Sequence, residues 1–325
     1  SAASDVYKRQ LSGIMDRLRL QCMNRTLILS MFKFFFTLIF CISPGAFADS
    51  KHHVVIISSS NSDFQMQTAS RIRANLEADG DMAIIVSTDD IVVPDKNVKT
   101  LYVAIGEHAI KSLHEFDSNA FVLRINSRKI PDSKYTSAQS DLITAQPVCR
   151  HIQLIKSLNP DWTTIAMLSS IDSLDIAAEF TKCTIRQNLN LNVYAITDER
   201  DLLQTLETAV EANKVLLAIT DPFIYNRHTV KNILLTAYRH RKPVIGYSDS
   251  FVQAGAVAAV YTSPESIGDR ASRIISGFFE NNWQFGKNIY STDSFSISTN
   301  PQVATSLDIA LPGKESIRES LEQIP

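Results

Sequence analysis

Two short polar clusters carry the side chains best suited to chemistry in this 325-residue chain. They are Thr220-Asp221-Pro222 and Gly246-Tyr247-Ser248-Asp249-Ser250, each directly after a short apolar run. The second comes close to G-x-S-x-G, the strand-to-helix turn that presents a serine nucleophile, but Ser250 stands where that turn needs glycine. No histidine follows it, the last being His240, so the order serine, acid, histidine is impossible. The seven histidines include no H-E-x-x-H or comparable ligand spacing. His52-His53 could hold a metal only loosely and reads as a solvated tail. The ten glycines are scattered, with no G-x-G-x-x-G and no G-x-x-x-x-G-K, so no dinucleotide or phosphate loop is built. These residue types predict no catalytic residue, no metal site and no cofactor. They suit polar contacts to a ligand.

The elements that must position them lie in residues 214–264. Three short runs, 215–219, 243–247 and 256–261, are rich in Val, Ile and Ala and bounded by turn residues, as strands buried on both faces are. Between the first two, Val230, Ile233, Leu234, Ala237 and Tyr238 make the stripe of an amphipathic helix, with Asn226 able to cap its start. Strand, helix, strand is a parallel βαβ unit, and ligands of open parallel sheets sit at the carboxyl ends of the strands. Both polar clusters occupy that edge.

Composition is that of a soluble globular chain: 45% apolar, net charge −2, with no bias toward nucleic acid or a membrane surface. The N-terminal part reads as a targeting segment. Lys33 precedes an apolar run over 34–42, then Ser43-Pro44-Gly45-Ala46-Phe47-Ala48, with Ala46 and Ala48 placed as in an A-x-A cleavage site. Nine helical residues rise only ~14 Å against a hydrocarbon core of ~30 Å, which argues for a cleaved signal over an anchor. Met23 or Met31 is the expected start, and cleavage after Ala48 is expected to leave a periplasmic protein that begins near Asp49. It keeps Cys149 and Cys183, for which an exported compartment permits a disulfide; both fall on predicted helices, and spacing alone leaves the pairing open.

Taken in order, the chain alternates strand and helix twice. The first series has strands at 52–60, 82–87, 100–105 and 120–125, with helices after 62 and after 107. Residues 127–145 are polar and aperiodic, a loop with room for one short strand leading into a crossover. Helical spacing returns at 148–158, and a strand at 163–168 opens the second series. It continues with helices 172–189 and 199–212 flanking a strand at 192–196, then enters the βαβ unit. Ser263 and Pro264 start a further helix. Residues 283–290 read as a turn-rich connection, 295–298 as a late strand, and the last residues as a polar tail. The reading is α/β: two doubly wound parallel-sheet lobes joined by a hinge of several crossovers. The first lobe takes 49–145 plus about 264–290, and the second 146–263 plus about 291–325.

The run TDPFIYNRHTVKNILLTAYRHRKPVIGYSDSFVQAGAVAAVYTSPESIGDRASRIISG resembles the second lobe of ABC-transporter substrate-binding proteins of the type I periplasmic fold, in the branch with tryptophan- and tyrosine-binding members. FSISTNPQVATSLDIALP is similar to that branch's closing strand and helix, with Asn300, Ala304, Leu307, Ile309 and Pro312 matching. Ile105-Gly106-Glu107-His108-Ala109 occupies the place of its G-T-x-x-A turn, with Glu107 where threonine is usual. Arg124-Ile125-Asn126-Ser127 stands where a first-lobe T-D-P is usual.

The resemblance implies a small solute, amino-acid-like or aromatic, held between the lobes for an ABC permease or, alternatively, for a membrane sensor. It implies a monomeric binding protein with no enzyme activity. A cleft of this kind draws polar groups from strand ends and helix N-termini of both lobes. The candidates are Ser60, Asn61, Gly106, Glu107 and Asn126 in the first lobe, and Ser169, Ser170, Asp221, Tyr225, Ser248 and Asp249 in the second. At each position the same residue types also serve as caps and turns. Phe64, Phe223, Tyr225, Tyr247 and Phe251 lie near those ends, suited either to stacking on a flat ligand or to the core.

Overall fold

The computed structural model describes residues 52–59, 62–88, 98–116, 120–128, 136–292 and 294–324, all within a single compact unit, Lys51–Pro325. The expected leader, its expected cleavage site and two candidate site residues, Ser60 and Asn61, lie outside the described residues.

The first sheet holds β1 (His53–Ser58), β2 (Met82–Ser87), β3 (Thr100–Ile105), β4 (Phe121–Asn126), β5 (Gln139–Ile143) and β11 (Ile289–Ser291). Its order is β11-β5-β4-β3-β1-β2, and every neighbouring pair is parallel. Apolar residues on both faces let both be covered, as a parallel sheet requires. On one face Ile56, Val103, Leu123 and Ile125 pack against α1 (Asp63–Ala78) and the long helix α8 (Pro264–Glu280). On the other, Ile57, Ala104 and Val122 meet Ala109 and Leu113 of α2 (Glu107–Phe116). Each fully buried Val, Leu or Ile contributes about 1.5–3 kcal/mol.

The second sheet holds β6 (Thr164–Ser169), β7 (Asn190–Ala195), β8 (Val215–Leu217), β9 (Val244–Gly246), β10 (Ala258–Tyr261) and β12 (Ser296–Thr299). Its order is β12-β10-β9-β8-β6-β7; β12 runs antiparallel to β10 and the rest are parallel. One core gathers these strands with α3 (Val148–Leu158), α4 (Leu174–Arg186), α5 (Leu202–Ala212), α6 (Val230–Arg239) and α7 (Asp249–Gln253). Cys149 of α3 is bonded to Cys183 of α4, with Cα atoms 5.3 Å apart.

Several local readings need correction. The helix expected from Asn226 begins at Val230; Asn226 instead sits in the turn before it, its Oδ1 accepting from His228 N at 3.0 Å. The turn-rich connection contains β11, which pairs with β5. The expected closing helix is present as α9 (Pro301–Ser306), but the polar tail after Pro312 holds α10 (Lys314–Glu322), whose Ile317 and Leu321 are fully buried. His52 is no solvated tail: its Nδ1 lies 2.8 Å from Asp81 Oδ1 and its ring stacks on Phe279 at 3.9 Å.

Three segments cross between the sheets, after β5, after β10 and after β11. Buried side chains tie them together. Thr262 Oγ1 donates to Thr144 O at 2.7 Å and accepts from Gln146 Nε2 at 2.6 Å, and that amide also donates to Ser294 O at 3.0 Å. Arg150 carries the chain of contacts outward, donating to Gln146 Oε1 at 2.5 Å and to Ile324 O at 2.7 Å.

Candidate ligand site

Strand order reverses direction at β1/β3 in the first sheet and at β6/β8 in the second. Crevices open at the carboxyl ends of strands at such points. In both sheets one side chain bridges the reversal.

In the second lobe that side chain is Asp221, which is 2% exposed. Its Oδ2 accepts from Ser170 N at 2.8 Å, joining the end of β6 to the segment after β8. Its Oδ1 accepts from Phe223 N at 3.1 Å and Ile224 N at 3.4 Å. Three backbone donors satisfy a buried charge that would otherwise be costly. The carboxylate is thus a structural pin whose field reaches the surrounding groups.

Those groups are hydroxyls and rings. Ser169 is fully buried and donates to Ser170 O at 3.0 Å. The hydroxyls of Ser170, Ser173 and Tyr225 are buried and have no hydrogen-bond partner. Tyr225 sits edge-on to Tyr247 and Phe251, with centroids 6.3 and 5.8 Å away. Burial pushes its phenol far above the ordinary tyrosine range, and the charges of Tyr247 and Asp221 add to this. Burial, then the charge of Asp221, pushes the half-buried Tyr247 phenol up to about 12. Both rings therefore stay neutral, able to donate one hydrogen bond. A buried polar atom without a partner is costly, so the unpaired Ser170 and Tyr225 hydroxyls at a strand-end crevice mark a place where a ligand atom would gain most.

The other second-lobe candidates are already engaged. Ser248 caps α7, its Oγ accepting from Phe251 N at 3.2 Å and pairing with Ser250 Oγ at 3.0 Å. The serine of the elbow-like pentapeptide therefore serves as a cap. Asp249 accepts from the Ser298 hydroxyl and from Gln253 Nε2, the latter at 2.5 Å.

In the first lobe the bridging side chain is Gln65, in the first turn of α1. Its Oε1 accepts from Ser59 N at 3.2 Å, and its amide lies over Gly106. Gly106 has φ +84°, and a Cβ there would meet Gln65 Nε2 at 2.3 Å, so only glycine fits comfortably. Glu107 is exposed and pairs with Lys111 at 2.8 Å along α2. Asn126 ends β4 with its Oδ1 accepting from Ser127 N at 2.9 Å. Ser58, at the end of β1, carries another buried hydroxyl without a partner. Sequence reasoning missed Ser58, Gln65 and Arg128. Arg128 follows β4 and donates through Nη1 to Asp172 O of the second lobe at 2.8 Å. Position after strand ends could have pointed to Ser58; nothing local marks the other two. Among the described residues no group of three or more His, Cys, Asp or Glu side chains is placed to hold a metal ion.

Two mostly parallel sheets with flanking helices, joined by three crossovers, define a type I periplasmic binding-protein fold. Solved structures share it. A substrate binding protein with adhesive properties from Clostridium difficile, in a ligand-free, open structure, matches with TM-score 0.66 and 14% identity over 82% of this chain and 97% of its own. An ABC domain in complex with L-Trp from Streptococcus pneumonia matches with TM-score 0.63 and 15% identity, over 82% and 98%. A conserved domain protein from Vibrio cholerae gives 0.63 and 14%, over 82% and 97%. No curated protein sequence matches. The family model for ABC transporter substrate binding proteins matches residues 125–320, more than half of the chain, and the protein belongs to that family.

Proposed function

We propose that this protein is exported to the periplasm, where it captures a small organic solute, amino-acid-like or aromatic, between its lobes and delivers it to an ABC permease. The lobes take 49–145 plus about 264–290 and 146–263 plus about 291–325, and the protein acts as a monomer without catalysis. The observation that carries the reading is the pair of unpartnered buried hydroxyls, Ser170 and Tyr225, at the strand reversal of the second lobe. Tyr225 and Phe251 are buried in the second-lobe core, so the half-buried Tyr247 beside them is the ring open to a flat solute, and a structural neighbour is described in complex with L-Trp. The Tyr247 ring and the unpaired hydroxyls would contact the solute, while Asp221 holds the backbone around them in place. Solute contacts made from both lobes favour the closed arrangement, a shift of populations.

A thermal-shift screen of amino acids, nucleosides, sugars and small acids tests this. A solute at a hundred times its Kd stabilises the folded form by about 2.7 kcal/mol. An aromatic or amino-acid-like hit is expected. Stabilisation by sugars alone would contradict the solute class, and no hit in any class would contradict the capture role. If a hit promotes association with a membrane receptor or kinase rather than with a permease, the protein is a sensor subunit.

A further inference from the structure

We propose that Arg128 is a latch that holds the two lobes together across the carboxyl edges of their sheets and thereby sets how often the solute-free protein opens. Arg128 stands just past β4, at the carboxyl edge of the first sheet, and its guanidinium donates to the main-chain oxygen of Asp172 in the turn after β6. Two residues before Arg128, Asn126 O accepts from Thr144 N at 2.9 Å, beside the crossovers pinned by the buried Gln146 and Thr262 bonds. Among the described residues around the Arg128 bond, apolar side chains stay open to solvent. Ile171 and Leu174, flanking Asp172, are 68% and 45% exposed, and Phe64 at the head of α1 is 42% exposed. A cationic donor on a carbonyl, with little apolar burial to support it, is a contact that holds but releases.

The population weight of one solvent-accessible charge-assisted hydrogen bond is roughly 2- to 10-fold. Latching also places Arg128 against the turn that contains the Ser170 and Ser173 hydroxyls, so a solute reaching them enters when the latch is open. The inference rests on the capture reading only for that consequence. Its test needs no solute, so a failed solute screen and a failed latch are separate results.

Spin labels on Glu77→Cys in α1 and Glu207→Cys in α5, both exposed positions, report the interlobe distance in the chain from Asp49 onward, whose own two cysteines are bonded to each other. Arg128→Ala is expected to raise the separated fraction 2- to 10-fold. Arg128→Lys, which keeps a donor, should recover part of the latched fraction. Asp172→Ala keeps the accepting carbonyl and should leave the distribution unchanged. An Arg128→Ala distribution identical to wild type overturns the latch. So does an Asp172→Ala variant that opens as far as Arg128→Ala, because side-chain charge would then be responsible.

Discussion

His151 makes the second lobe sensitive to mild acid. It lies on α3 with 8% of its surface exposed, its Nδ1 has no partner, and its ring stands edge-on to Phe180 at 5.9 Å. Burial, then the positive charge of Arg150, lowers its pKa from 6.5 to about 4. The folded core refuses a proton that the unfolded chain accepts. Below pH 6.5 the unfolded state is therefore favoured progressively, and the loss levels off below the folded value of about 4. The whole difference corresponds to about 3 kcal/mol, of which about 2 kcal/mol falls between pH 7 and pH 5. In a domain of this size that is a drop in Tm of roughly 4–8 °C from this group alone. His151→Leu removes the titration and keeps an apolar side chain of similar size. Urea denaturation of both proteins at pH 7, 6 and 5 isolates the effect, because every other titrating group cancels in the difference. Wild type should lose about 2 kcal/mol more than the variant over that range. Parallel curves, or an imidazole that titrates near 6.5 in the folded protein by NMR, would refute the reasoning.

Three other perturbations have defined outcomes. Asp221→Asn leaves at least one of three backbone donors poorly matched inside the crevice, and should cost about 2–4 kcal/mol by denaturant titration; a change under half that would mean the pin is not needed. Gly106→Ala meets both a φ of +84° and the Gln65 amide, and should lower stability by about 1–3 kcal/mol, with part of the loss recovered by adding Gln65→Ala. Cys149→Ser with Cys183→Ser removes a cross-link over a sequence separation of 34, worth about 4 kcal/mol in the chain-entropy account; a reducing agent should lower the wild-type Tm and leave the variant unmoved.

Most of the architecture was legible because strands buried on both faces read as dense apolar runs and their helices carry continuous stripes. The exceptions have physical causes. In α10 only Ile317 and Leu321 are fully buried, and the surrounding lysine, glutamates, serines and arginine make the segment read as solvent-exposed tail. β11 is three residues long, and its partner β5 lies far back in the chain, so no local pattern marks it. At the site, a strand end tells where Ser170, Asp221 and Tyr225 stand. That the Asp221 carboxylate is spent on Ser170 N depends on β6 and β8 lying side by side, which no spacing within either segment reveals. Asp249 is likewise drawn off by Ser298 of β12. The bond from Arg128 crosses between lobes and starts from a stretch with no period at all.

The proposed solute contact at the unpaired hydroxyls of the second sheet is tested most directly by Tyr225→Phe. Calorimetric titration of the screened solute should show affinity falling about tenfold, the loss of one hydrogen bond to a buried partner, while the solute-free variant melts no lower than wild type because its phenol had no partner to lose. Unchanged affinity, or an affinity loss accompanied by an equal loss of fold stability, would contradict the account.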